Sequence, residues 1–255
     1  FESKGVDSLR FFLYSSTAPL AEDVRFSDKH VEEVVKKVTL TLWNAYSFFV
    51  TYALIDNWTP GKMPARFFNK LDQWIISELQ FLIEEVTEAM NSYNLTMATR
   101  PMANFIDNLS NWYIRRSRRR FWKSQNDQDK NQAYQALHQV LLTLSKLLAP
   151  FMPFMSEELY KNLSGEESVH LSAWPKVQKK YKNSSLHQEI GLIRTIVELG
   201  HRARSEAKIK VRQPLGKLYI ALPAHYAVPT ETEVILEELN VKNLEFIADS
   251  SAIAS

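Results

Sequence analysis

Apolar positions recur at three- and four-residue spacing through most of the chain. From 28 to 57 the stripe is Val31, Val34, Val38, Leu42, Ala45, Phe49 and Tyr52, which predicts a helix with Ser27 as its N-cap. Trp58 to Pro64 carries two prolines and a glycine and predicts a loop. A second helix is expected from Lys70 to Tyr93, with Leu71, Ile75, Leu79, Leu82, Val86, Met90 and Tyr93 along one face. A third is expected from Ala98 to Trp122, and polar residues 123–130 make the next connection. A fourth carries Leu137, Leu141, Leu144 and Leu148 and stops at Ala149-Pro150, because proline lacks an amide donor and disfavours a helical residue before it. Ser156-Glu157-Glu158 then predicts the start of a short helix, with acidic residues in its first turn.

After Ala173-Trp174-Pro175 the pattern changes. Residues 176–185 are polar and lysine-rich and predict a linker. A helix follows, with Leu186, Ile190, Ile193, Val197 and Gly200 on one face. Leu218 to Leu222 suits a strand, Glu231 to Leu239 a short helix, and Leu244 to Ala248 a second strand. The expected fold is therefore mainly α: an antiparallel helical bundle followed by a small α+β element. The expected organisation is a connector over 1–26, a bundle over 27–175, and a linker helix with a small α+β domain over 176–255.

Composition excludes several classes. The 255 residues hold no cysteine, so disulfides and thiolate metal sites are ruled out, which suits a reducing compartment. No apolar run is expected to reach membrane-spanning length, and no signal-peptide pattern opens the chain. Phe1 stands where a start methionine would, so the sequence reads as a piece of something longer. The six glycines are scattered, so no phosphate-cradling loop is expected. The six histidines lack metal-ligand spacing, and His138 beside an apolar stripe is read as structural. No catalytic centre and no metal site is expected within this sequence.

One segment stands apart. Asn111-Trp112-Tyr113-Ile114-Arg115-Arg116-Ser117-Arg118-Arg119-Arg120-Phe121-Trp122 places five arginines between aromatic rings with no acid among them. With 31 basic against 29 acidic residues overall, this is a local patch on a nearly neutral chain. A polyanion would relieve the mutual repulsion, and the rings can stack on bases, so RNA is the leading partner. A solvated helix face or a nuclear import signal explains the same residues without RNA.

On a wheel of about 100° per residue, Phe105, Ile106, Leu109, Trp112 and Tyr113 share an arc with Arg116 and Arg120. Arg115, Arg118, Arg119 and Trp122 fall on the other side. Arg116 and Arg120 are therefore expected to lie partly under the surface, paired with carboxylates such as Asp72 or Asp107. Arg115, Arg118 and Arg119 remain for phosphate, and Trp122 for stacking or a domain contact. Lys208, Lys210 and Arg212 form a second basic strip, equally readable as an RNA contact or as a surface helix end.

Several motifs together carry a family resemblance. Gly5-Val6-Asp7-Ser8-Leu9-Arg10-Phe11 resembles a segment of class I aminoacyl-tRNA synthetases that follows their lysine-rich signature loop. Leu148-Ala149-Pro150-Phe151-Met152-Pro153-Phe154-Met155-Ser156-Glu157-Glu158 is similar to a stretch shared by the isoleucine, valine and leucine enzymes. Asn111 to Trp122, Ser168 to Pro175 and Lys208 to Leu215 favour the isoleucyl-tRNA synthetases. The resemblance spans residues 5 to 222.

It implies an anticodon-binding bundle and the start of a junction region. The implied partners are a tRNA for isoleucine and the catalytic and editing domains upstream in the same chain, with no membrane. ATP and magnesium are implied for that parent ligase and no cofactor for this part, which on its own would be inactive; a cytoplasmic location is implied too. Residues 5–26 would join the catalytic and anticodon domains, leaving Leu9, Phe12 and Leu13 as an apolar patch. The same role in a valyl-, leucyl- or methionyl-tRNA synthetase, a helical protein-interaction scaffold, and a stand-alone RNA-binding module remain as alternatives.

Overall fold

A computed structural model describes residues 4–123, 127–223 and 225–247. The chain divides into two compact units, Phe1–Lys182 and Asn183–Ser255. The first is helical: α1 (Val6–Ser15), α2 (Asp28–Val34), α3 (Leu40–Ile55), α4 (Lys70–Asn91), α5 (Leu95–Asp107), α6 (Arg115–Trp122), α7 (Gln128–Leu148) and α8 (Pro153–Ser164). The second holds α9 (Ser184–Glu206), β1 (Leu215–Ala221), α10 (Thr232–Leu239) and β2 (Val241–Ile247).

Side-chain caps fix half of the ten α-helix starts among the described residues. Ser27, Asn69, Asn94, Asp127 and Asn183 each accept an amide from the first turn of the helix that follows. Two expected long helices are each interrupted by a π segment: Val35–Thr39 joins α2 to α3, and Asn108–Ile114 joins α5 to α6. A π turn adds a residue to the helical turn and so rotates everything beyond it.

The core of the first unit is built around α7, which packs on α3, α4, α6 and α8. Its Ala133, Leu137, Val140, Leu141, Leu144 and Leu147 are fully buried. His138 joins this core: its Nε2 lies 3.0 Å from the Leu163 carbonyl, and its ring packs near Phe49 and Trp58.

Four local expectations are corrected. The helix expected from Ser156 begins at Pro153, because Asp7 of α1 accepts the amides of Phe154 (3.4 Å) and Met155 (2.7 Å). Glu157 instead accepts Ser168 Oγ (2.9 Å) and the Val169 amide (2.8 Å); the Lys161 ammonium and these bonds hold its carboxyl down at about 2. Residues 176–182, expected as a linker, bind the bundle: Tyr181 is buried with its hydroxyl donating to Pro64 O (2.6 Å), and Lys182 pairs with Glu84 (2.5 Å).

The fourth correction concerns membrane-spanning length. Asp28–Ile55, continuous over 28 residues, is long and apolar enough to cross a bilayer by length and composition. Here Leu42, Ala45, Tyr46, Phe49 and Ala53 of that helix are buried in the bundle.

The patch expected on the connector is partial. Leu13 is exposed, but Leu9 and Phe12 are half-buried, Phe12 lying against Phe26 and His30.

In the second unit, β1 and β2 form a two-stranded parallel sheet connected by α10. Leu186, Ile190, Ile193 and Val197 of α9 are buried as their spacing predicts. Gly200 lets α9 approach α10 closely, since a Cβ there would sit 2.4 Å from Leu239 Cδ1. β1 starts three residues earlier than expected and ends at Ala221, and β2 starts at Val241; the expected end of the second strand at Ala248 lies outside the described residues.

Burial holds the His138 imidazole below its ordinary pKa, so the folded protein keeps it neutral. The unfolded chain takes up a proton at about pH 6.5, and below that pH protonation favours unfolding. Stability is expected to fall as pH drops below this point, and His138→Gln is expected to flatten that part of the curve. Urea titrations at closely spaced pH values check it.

Candidate nucleic-acid interface

The arginine cluster lies on α6, beyond the π segment. That segment turns the buried face from Phe105, Ile106 and Leu109 toward Ile114, Ser117, Arg120 and Phe121, all buried. Arg120 is 8% exposed. Its Nη1 and Nη2 grip Asp72 Oδ1 and Oδ2 of α4 at 2.7 Å each, a two-pronged pair in which the carboxylate is wholly buried. Its Nε reaches Asp129 Oδ2 of α7 at 3.0 Å, and Nη2 also reaches the Asp129 carbonyl at 3.0 Å.

Tyr113, fully buried, donates its hydroxyl to Asp72 Oδ1 at 2.7 Å. Burial, reinforced by the Asp72 charge, pushes the Tyr113 phenol well up, so it stays a neutral donor. Burial alone would lower the Arg120 pKa, but Asp72 outweighs it and holds the guanidinium charged. Asp129, which burial would raise, is instead held below the ordinary carboxylate range by Arg120.

A second buried pair anchors the other side of the connection after α6. Lys130, 1% exposed, brings its Nζ to 2.6 Å from Asp56 Oδ2 and donates to the Lys123 carbonyl at 2.6 Å. Tyr134 donates its hydroxyl to the same Asp56 carboxylate. Burial favours the neutral acid, but the Lys130 and Tyr134 bonds outweigh it and hold Asp56 below the ordinary range. Both ends of the segment between α6 and α7 are thus tied down, although residues 124–126 of the expected connection lie outside the described residues.

The outward face of α6 carries Arg115, Arg118, Arg119 and Trp122, all exposed, with Trp122 at 56%. Arg115 Nε donates to Asn111 O at 2.8 Å, and its guanidinium lies 5.9 Å from the Trp112 ring. Arg116 is half-buried at the edge of the face, 5.7 Å from the same ring. Asp107 is exposed and accepts Asn111 Nδ2 at 2.6 Å. Asp129, Lys130 and Asp56 were not singled out in the sequence reading, and Tyr113 was read only as a member of the apolar arc, not as a donor to Asp72. A stripe identifies which helix face is inside but gives no sign of which distant polar group it will meet.

In the second unit, Lys208, Lys210 and Arg212 are exposed, on the loop after α9 rather than on the helix itself. Among the described residues no three His, Cys, Asp or Glu side chains gather as metal ligands would.

Replacing Asp72 by asparagine removes one partner of a buried pair and leaves Arg120 with reduced compensation. Asp72→Asn is expected to destabilise the first unit by about 3–5 kcal/mol, read by chemical denaturation. A change within about 0.5 kcal/mol would mean the fork does not hold the bundle.

Comparison with known proteins places the chain in a family. Residues 72–220 match the family described as "Anticodon-binding domain of tRNA ligase". The chain is 48% identical over 254 residues to an isoleucine–tRNA ligase of Dehalococcoides mccartyi, covering 94% of this chain and 25% of the relative. It is 43% identical over 260 residues to that of Clostridium acetobutylicum, covering 98% and 24%. For the ligase of Protochlamydia amoebophila the figures are 42% over 257 residues, covering 98% and 25%. The chain therefore spans about a quarter of the length of the curated relatives it matches. A crystal structure of a ternary LeuRS–tRNA–LeuAMS complex from Agrobacterium radiobacter shares the fold, with a TM-score of 0.54 at 17% identity over 71% of this chain and 21% of that one. The matched residues run from Asp72 of the buried fork through the whole arginine helix, and the chain belongs to the anticodon-binding domain family of tRNA ligases, its similarity lying with the isoleucine enzymes.

Proposed function

We propose that this chain is the tRNA-gripping part of an isoleucine–tRNA ligase, and that α6 seats the anticodon stem-loop. The observation that carries this reading is the division of the arginine helix. Arg120 is committed to Asp72 and Asp129 inside the bundle, while Arg115, Arg118, Arg119 and Trp122 face outward from a helix that cannot roll. The outward guanidiniums meet backbone phosphates and set register. Trp122 offers a flat apolar face to an unstacked loop base. Lys208, Lys210 and Arg212 supply a second phosphate contact from the other unit.

Activation of isoleucine with ATP and magnesium, and its transfer to tRNA, belong in this reading to other domains of a longer cytoplasmic ligase. This chain selects and positions the RNA and performs no chemical step. The isoleucine specificity rests on relatives 42–48% identical to this chain.

The test is filter binding of a tRNA for isoleucine across a range of salt, with a tRNA of another specificity as control. Arg115→Ala, Arg118→Ala and Arg119→Ala combined are expected to weaken binding and to flatten the slope of log K against log salt by about one unit per lost phosphate contact. An unchanged slope removes this face from the interface. No binding at low salt by the unaltered chain would favour a protein-interaction scaffold.

A further inference from the structure

Arg204, in the last turn of α9, is 5% exposed, yet its guanidinium has no carboxylate partner among the described residues. Its Nη donors go to three backbone carbonyls, while Nε is buried without a partner. Nη2 reaches Leu239 O at 2.6 Å and Asn240 O at 3.2 Å, and Nη1 reaches Lys210 O at 3.2 Å. The first two carbonyls are at the C-terminus of α10, where the helix dipole and unpaired carbonyls favour a cation. The third belongs to the loop that carries Lys208, Lys210 and Arg212.

That loop is tied down along its length. Ile209 donates its amide to Arg204 O (2.8 Å), Gln213 to Lys210 O (2.9 Å), and Asn240 Nδ2 donates to Val211 O (3.0 Å). Lys208 and Asn240 both adopt left-handed backbone, with φ of 56° and 48°. Ile209 is half-buried, while Lys208, Lys210, Val211 and Arg212 are exposed, and the three cations have no ion-pair partner among the described residues. Three exposed cations within five residues of a hydrogen-bonded loop make a cationic edge for phosphates. The buried Arg204 charge adds to the same field.

We propose that Arg204 is the positioning residue of this edge: it clamps the loop carbonyl of Lys210 to the end of α10, so that Lys208, Lys210 and Arg212 are ordered before RNA arrives. The inference rests on the RNA-binding reading above. A preformed edge avoids the entropy of ordering a flexible lysine loop on binding. Lysine could not replace this arginine, because an ammonium is a compact donor that cannot fork across two chain segments.

The experiment is a double-mutant cycle on the full 255-residue chain, measured by tRNA binding at several salt concentrations. The variants are Arg204→Lys, the triple Lys208→Ala/Lys210→Ala/Arg212→Ala, and the two combined. Arg204→Lys is expected to weaken binding by about three- to tenfold with an unchanged salt slope, because the exposed cations are all retained. The combined variant is expected to bind no more weakly than the triple. Losses that add in full would overturn the proposal, since Arg204 would then act independently of the loop.

A triple variant with unaltered affinity and slope would remove the loop from the RNA interface and end this inference, while leaving the α6 reading to its own test. Should Arg204→Lys unfold the second unit, Arg204→Gln runs the same cycle, since its amide keeps one donor group but cannot fork to all three carbonyls, with the same two deciding outcomes.

Discussion

The buried fork between Arg120 and Asp72 is the contact on which the orientation of the cationic helix depends. A guanidinium and a carboxylate withdrawn from water are each costly unless their hydrogen-bonding capacity is met. Here it is met by two parallel bonds, by Tyr113, and by Asp129. The geometry links α4, α6, the preceding π segment and α7, and it fixes the rotation of α6 about its own axis. With that rotation set, the outward residues are set as well.

Removing one arginine from the surface is how the bundle makes the others usable. Five neighbouring cations on a short helix repel one another, and a helix free to roll would present a changing face. Committing Arg120 inward converts part of that repulsion into a buried attraction and leaves a fixed set outside. Lys130 and Asp56 do the same on the far side of the connection, with Tyr134 completing the carboxylate's partners. The second unit solves a similar problem differently. Arg204 is stabilised by the carbonyls at a helix end instead of by an acid, so its charge remains uncompensated by any carboxylate among the described residues.

Much of the bundle was legible in the chain. The stripes of α7 and α9 give their faces directly, and that of α4 does so up to Val86 but not at Tyr93, which lies past the helix end and is exposed. Ser27 caps where its type and position predict. The start of α8 was misread because its cap is Asp7, almost 150 residues earlier in the chain. The polar run 176–182 was misread because a single aromatic, Tyr181, outweighs several lysines whose heads stay in water. Composition marks a segment as polar on average, whereas docking is decided by the one side chain that finds a cavity.

By itself the sequence determined the helical periods, the breaks at proline, the absence of thiol chemistry, and the cationic helix with its family resemblance. These are local or compositional properties, set by spacing along one backbone. Only the tertiary structure decided which arginine is buried and how far Arg116 is turned to the edge. A uniform 100° wheel cannot register the π segment at Asn108–Ile114, which rotates the face beyond it. It also decided that Asp72, 48 residues away, is the acid that meets Arg120. A charge pair of that kind depends on the distance between helices in space, and that distance is fixed by packing the whole bundle.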